Sequence, residues 1–319
     1  MKAIRVHEFG TPEVMRLEDA PGLKPGKGEL VVKTAAIGVN PVDTYLRSGL
    51  QYKLQLPFTP GMDCAGVVLE NGPGARRFNK GDRVYTSGSL SGAYAQEVLC
   101  SEYQVHPLPK AVSFQEGAAL GVPYATAYQA LFAKAGIQKG ETVLIHGGSG
   151  GVGIAAIQLA RQAGVKIIAT AGTKKGLELV TGQGAHHALN HNDPGYLEEL
   201  RRLTDPNGVN VILEMLADKN LEHDLELVAF RGRIVVIGCR GTIEINPRQM
   251  MTKESSVTGM TIMQANAHEK TMIRNMLLKG LLKGFLRPVI GREFPLAQAA
   301  AAHHAVLEPG SYGKIILIP

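Results

Sequence analysis

The sequence predicts an α/β protein of two domains, a β-rich, barrel-like domain interrupted by a doubly wound parallel sheet. Three observations carry this. Up to about residue 120 the chain is short apolar segments broken by Gly and Pro. From about Glu116 onward apolar runs alternate with helical stretches, and Gly148, Gly150 and Gly153 form a glycine-rich turn between one such run and a helix.

Length and composition agree with two folded domains. A chain of 319 residues is too long for a typical single core, and 45% apolar with 19% charged residues suits a globular enzyme. The formal charge of +6 is spread along the chain with no block of like charges, which fits a solvated surface and an anionic cofactor. With 5% aromatic residues and no Trp there is no stacking platform for single strands, so nucleic-acid binding is expected only as a secondary activity. Cys64, Cys100 and Cys239 lie far apart and form neither a C-x-x-C pair nor a disulfide framework. Residues 1–10 alternate like a strand instead of carrying a signal-peptide core, and no apolar run approaches the ~18 residues of a membrane span. A reducing, cytoplasmic location without membrane insertion is expected.

The elements follow in order. Apolar segments at residues 30–37, 65–69, 83–85 and 95–99 read as strands, with turn chemistry at Pro60-Gly61, residues 71–74 and residues 80–82 between them. Strands at residues 142–145, 166–170, 209–214 and 233–238 alternate with helices at residues 152–163 and 176–183. A helix at residues 269–283, a strand-like 288–290, a helix at 296–307 and a strand at 314–318 close the chain. The last strand is best explained by return to the first domain. The predicted domains are therefore residues 1–123 with 263–319, and the inserted residues 124–262.

The glycine turn is the most informative local signal. Residues 141–153 read ETVLIHGGSGGVG, so Gly148, Gly150 and Gly153 satisfy G-x-G-x-x-G between a strand and an apolar-faced helix. In that context the glycines allow a tight turn, backbone approach to a pyrophosphate, and close helix–strand packing. Ser149, Gly150, Gly151, Val152 and Gly153 are the expected phosphate contacts, helped by N–H groups at the helix start. The second strand runs into residues 171–176, AGTKKG, with no Asp or Glu at its tip. A carboxylate there would hold a ribose 2′-hydroxyl. Its absence, with Gly172 leaving room and Lys174 and Lys175 supplying charge, favours NADPH over NADH.

At this point the chain resembles a family over essentially its whole length. Residues 38–45 (GVNPVDTY), 60–67 (PGMDCAGV), 80–84 (KGDRV), 117–128 (GAALGVPYATAY), 214–217 (EMLA) and 237–248 (IGCRGTIEINPR) are similar to the zeta-crystallin branch of NADPH:quinone oxidoreductases. These are zinc-free medium-chain dehydrogenases/reductases. The resemblance implies a GroES-like β-barrel catalytic domain with an inserted Rossmann domain, NADPH as cofactor, a quinone as substrate, and a homodimer or homotetramer. Zinc-dependent relatives carry a Cys in the first segment and Gly-His-Glu in the second. This sequence has Gly38-Val39-Asn40 and Met62-Asp63 there, so no metal is expected.

The resemblance also marks cofactor positions: Tyr45, Thr126 near the nicotinamide, Gly172 and Lys175 at the adenosine side, His191, Asn220, and the turn Ile237, Gly238, Cys239 and Arg240. Without a metal, the protein must position an acceptor that needs little activation and hydrogen-bond its developing phenolate. Asn40, Tyr45 and Tyr52 are the candidate catalytic residues, with Tyr45 expected on a short helix begun by Pro41. An NADPH-dependent reductase of alkenals or enones is the nearest alternative. AU-rich RNA or single-stranded DNA binding, or a structural lens-type role, are the alternatives outside catalysis.

Overall fold

A computed structural model describes residues 1–50, 54–310 and 312–319. The chain divides into two compact units, one of residues 1–123, 278–308 and 313–319, the other of residues 124–277 and 309–312. In chain order the strands are β1 (Lys2–Val6), β2 (Met15–Asp19), β3 (Glu29–Val39), β4 (Asp63–Asn71), β5 (Arg83–Thr86), β6 (Glu97–Ser101) and β7 (Val105–Pro107). The second unit holds β8 (Thr142–Ile145), β9 (Lys166–Ala171), β10 (His187–Asn190), β11 (Val209–Glu214), β12 (Val228–Val236) and β13 (Ser256–Gly259). The first unit resumes with β14 (Ile290–Pro295) and β15 (Lys314–Ile318).

The first unit is built on β3. Eight of its 11 residues are buried, and it pairs antiparallel with β4, β6 and β15. The sheet runs β14-β15-β3-β4-β5-β7, with β1 and β2 forming a separate antiparallel pair. Ile4, Val6, Leu30, Val32, Ile37, Val39, Val68, Val84 and Tyr94 fill the core with Ala299 and Ala302. Alternating β-branched residues on one strand face drive that burial.

The second unit is a six-stranded parallel sheet in the order β10-β9-β8-β11-β12-β13. Five of the six residues of β9 are buried, as in a sheet covered on both faces. The helix Gly151–Ala163 buries Ile154 to Ala160 against it. Strand order reverses between β8 and β11, the place where such sheets bind ligands beyond their carboxyl ends. The expected α/β class, with a β-rich part and a parallel nucleotide-binding part, is what the chain forms. Among the described residues no helix is long and apolar enough to cross a membrane.

Candidate active site

In the second unit nearly all the predicted cofactor residues follow the carboxyl ends of five adjacent strands. The glycine turn leaves β8; Gly172, Lys174 and Lys175 leave β9; His191 leaves β10; Asn220 lies just beyond β11; and residues 237–240 leave β12. Thr126 is carried outside the sheet, buried on the helix Gly121–Tyr128.

The turn is held by its own backbone. Gly148 N–H donates to the Thr170 carbonyl at 2.7 Å, Gly147 N–H to Thr170 Oγ1 at 3.2 Å, and Gly150 N–H to the Gly147 carbonyl at 3.1 Å. Gly150 caps the helix Gly151–Ala163 and brings no side chain to its first N–H groups, which suits an anion. A Cβ on Gly153 would stand 2.4 Å from the Gly147 carbonyl oxygen, so only glycine lets the helix sit this close to the turn. Ser149 is buried beside them.

At the tip of β9 a Cβ on Gly172 would lie 2.8 Å from His191 Nε2. The next helix, Lys174–Gln183, is capped by Thr173, whose Oγ1 accepts from Gly176 N–H at 3.0 Å. Lys174 and Lys175 occupy its exposed first turn, and Lys175 Nζ sits 4.1 Å from the centre of the Tyr312 ring. Desolvation and the neighbouring His146 push His191 below its usual pKa of 6.5, so near neutrality it is a neutral hydrogen-bonding group. The 237–240 turn is tied back by Ile237 N–H to the Glu214 carbonyl at 2.8 Å and Arg240 N–H to Asp218 Oδ1 at 2.7 Å. Gly238 accepts from Ala217 N–H at 2.9 Å, and Cys239 donates to the Gly241 carbonyl at 3.0 Å. Asn220 Nδ2 donates to Glu214 Oε1 at 3.2 Å. A cradle of backbone N–H groups, two cations and no carboxylate at the β9 tip fits the pyrophosphate and 2′-phosphate of NADPH.

In the first unit β3 runs into Asn40, which opens the helix Pro41–Ser48; the helix ends at Gly49, in the left-handed region with φ 70°. Tyr45 lies mid-helix and half-buried. Asn40 is buried, and its amide is engaged at both ends: Nδ2 donates to Asp63 Oδ2 at 2.9 Å, and Oδ1 accepts from Lys314 Nζ. Lys314 Nζ also stands 3.8 Å from Asp63 Oδ2, and both residues are buried. Asp63 accepts from Val122 N–H at 3.0 Å. Burial pushes the Asp63 carboxyl up and the Lys314 ammonium down, each resisted by the other's charge. Asp43 accepts from Asn40 N–H at 2.9 Å and from Tyr94 Oη at 3.1 Å, and burial raises its pKa to about 7. Tyr94 Oη is also 3.0 Å from His303 Nε2, and burial, with Arg47 nearby, lowers the His303 pKa to about 3. The network fixes the start of the Tyr45 helix, and Asn40 does structural work in it. Tyr52 lies outside the described residues.

Comparison with known proteins decides the family. Residues 26–110 match the alcohol dehydrogenase GroES-like domain and residues 151–277 the zinc-binding dehydrogenase family. The chain is 46% identical over 321 aligned positions to the quinone oxidoreductase of Rattus norvegicus, covering 100% of this chain and 98% of the relative. It belongs to the quinone oxidoreductase family of medium-chain dehydrogenases/reductases. The solved structure of Escherichia coli quinone oxidoreductase complexed with NADPH superposes with a TM-score of 0.91 at 29% identity, each chain covered in full. An NAD-dependent alcohol dehydrogenase superposes with a TM-score of 0.93 at 30% identity, also with full coverage. Overall shape therefore does not separate the two cofactors. Within a quinone oxidoreductase the discriminating detail is the β9 tip.

Two groups of buried side chains escaped the sequence reading. Lys314 looks like one residue of a terminal strand, yet it is the cation that Asn40 and Asp63 share. His146, Glu214 and Asp224 come from three separate elements and meet in the core of the second unit. Only spatial proximity brings out either group, although buried ionisable residues of this kind are a recognised sign of function.

Proposed function

We propose that this protein reduces quinones at the expense of NADPH. Whole-length identity to quinone oxidoreductases carries the reaction class. The carboxylate-free tip of β9, where Gly172 abuts His191 beside Lys174 and Lys175, carries the cofactor choice. When bound, NADPH supplies the reducing equivalents from its nicotinamide ring. The N–H groups of residues 151–153 hold the pyrophosphate with Ser149. Gly172, Lys174, Lys175 and His191 receive the 2′-phosphate side, while Asn220 and residues 237–240 take the rest, with Thr126 at the nicotinamide.

Tyr45 is the substrate-side donor in this reading. Its phenol hydrogen-bonds the acceptor oxygen as that oxygen becomes negative, and Asn40, with Asp63 and Lys314, keeps the Tyr45 helix in place. Tyr52, a few residues further along the sequence, is carried as a second candidate donor. The reaction needs no metal in this scheme, since the Asn40 and Asp63 oxygens are already directed at an ammonium. Three free cysteines suit a reducing cytoplasm, and we expect a homodimer or homotetramer. Nucleic-acid binding would be secondary.

The test is turnover on a panel of ortho-quinones, para-quinones and enones with NADPH and NADH, followed by cofactor absorbance. Quinone turnover with NADPH preferred is the expected result, whereas faster turnover of enones would move the assignment to alkenal reduction. Replacing Lys174 and Lys175 together by Ala should weaken NADPH while hardly changing NADH. Tyr45→Phe should lower kcat/KM for quinones by about ten- to a hundredfold, the worth of one charge-assisted hydrogen bond, without changing NADPH affinity. Equal activity of the Phe variant would reduce Tyr45 to a packing wall.

A further inference from the structure

At the strand-order reversal of the second unit, β8 leads into His146 and β11 ends in Glu214, while the helix Ala217–Leu227 adds Asp224. His146 Nε2 lies 2.9 Å from Asp224 Oδ1 and 3.5 Å from Glu214 Oε2, and all three side chains are buried. Glu214 Oε2 and Asp224 Oδ2 have no hydrogen-bond partner among the described residues. Two ionised carboxylates with one imidazolium would leave a net negative charge away from water, which is strongly unfavourable. One proton kept by the Glu214–Asp224 carboxyl pair removes one of those charges. With His146 as imidazolium it makes the group neutral.

The other Glu214 oxygen faces the start of the helix Ala217–Leu227. Oε1 accepts from Leu216 N–H and from Asn220 Nδ2. That bond turns the Asn220 amino group inward and leaves its carbonyl oxygen as the acceptor offered to a ligand hydroxyl. We propose that His146, Asp224 and Glu214 form a buried proton-holding network that positions the Asn220 amide for a hydroxyl of the bound dinucleotide. The proposal rests on the reading that Asn220 belongs to the NADPH site. In it Glu214 is a positioning residue, acting through Asn220.

The electrostatics follow from the same contacts. Burial, reinforced by Asp224 and opposed by His146, raises the Glu214 pKa to about 7. Burial acts to lower His146, but Asp224 and Glu214 outweigh it and carry its pKa to about 9. The other titratable neighbours are His191, which His146 depresses, and Tyr196, which burial and then Asp224 and Glu214 raise. As pH rises through about 7, Glu214 loses its proton and faces the Asp224 carboxylate. Repulsion between the two carboxylates then shifts Glu214 away from Asn220, and NADPH binding weakens.

Glu214→Gln tests this, because its side-chain amide keeps an acceptor for Asn220 and supplies a permanent N–H to Asp224. NADPH dissociation constants would be measured by cofactor fluorescence from about pH 6 to about pH 9, with thermal melts alongside. Wild type should lose about tenfold in affinity across that range, so E214Q should bind about tenfold more tightly than wild type at the alkaline end. Asp224→Asn, which removes the charge that Glu214 opposes, should also take the step out of this range. Parallel profiles for wild type and both variants would overturn the proposal, as would one divalent ion per chain found by elemental analysis of the purified protein. Melting temperatures that shift while the binding profiles stay parallel would assign the network to stability alone. Asn220→Ala separates the underlying reading: unchanged NADPH affinity in that variant would remove Asn220 from the cofactor site, whatever Glu214 does. Weaker binding by Asn220→Ala, together with loss of the wild-type–E214Q difference in its background, is the expected result.

Discussion

Lys314→Met should destabilise the protein by about 3–5 kcal/mol, the usual consequence of leaving a buried charge without its partner. Asp63 would keep its hydrogen bonds from Asn40 and Val122 but lose the only cation placed beside it among the described residues. Urea denaturation measures the loss. Its pH dependence identifies the cause. Without Lys314 the Asp63 pKa in the folded state rises further above its unfolded value. Stability then falls as pH increases from that unfolded value through the raised one. The variant should accordingly sit closer to wild type near pH 5 than near pH 8. Adding Asp63→Asn should recover part of the stability and flatten that dependence. A Lys314→Met protein as stable as wild type at both pH values would mean that the pair contributes nothing.

Gly153→Ala should cut kcat/KM with NADPH by about a hundredfold or more, since an added Cβ forces the helix Gly151–Ala163 away from the turn and misplaces the N–H groups at its start. The contact to be relieved is with backbone, at 2.4 Å from the Gly147 oxygen and 2.5 Å from the Gly148 Cα, so no side chain can yield instead. Gly182→Ala is the matched control. It lies on the exposed side of the helix Lys174–Gln183 with nothing near its would-be Cβ, and should stabilise by about 0.5–1 kcal/mol while leaving kcat/KM unchanged. Equal kinetics for both alanine variants would show that the turn tolerates a shift of its helix.

Much of this fold is written in local patterns. The change from turn-punctuated strands to strand–helix alternation places the parallel sheet, and G-x-G-x-x-G with its flanking strand and helix places the tight turn between β8 and the helix Gly151–Ala163. Gly172 was legible as the position where an acid is missing, but its close approach to His191 was not, because the two follow neighbouring strands of a sheet whose pairing the sequence leaves open. Asn40 reads from its segment as a donor to substrate. Its amide is also bonded to Asp63 and Lys314, which are remote in sequence, and no spacing rule connects them. His303 and His304 are neighbours in sequence but unlike in place: His303 is buried on Tyr94, while His304 reaches Glu13 at the surface. Periodicity reports which face of an element is buried. It does not report which charged residues will share that interior.

The pairing of β15 with β3 has a consequence for biosynthesis. Ile315, Ile316 and Leu317 pair with Val39, Gly38 and Ile37, so these two neighbours are translated on opposite sides of the entire nucleotide-binding unit. A nascent chain can complete the parallel sheet of the second unit while this margin of β3 still has its hydrogen-bonding groups open. Lys314 arrives with the same late strand, so Asn40 and Asp63 also wait for their cation until then. The first unit is therefore the last to close, and a chain ended before β15 would leave the Asn40–Asp63–Lys314 anchor of the helix Pro41–Ser48 unmade.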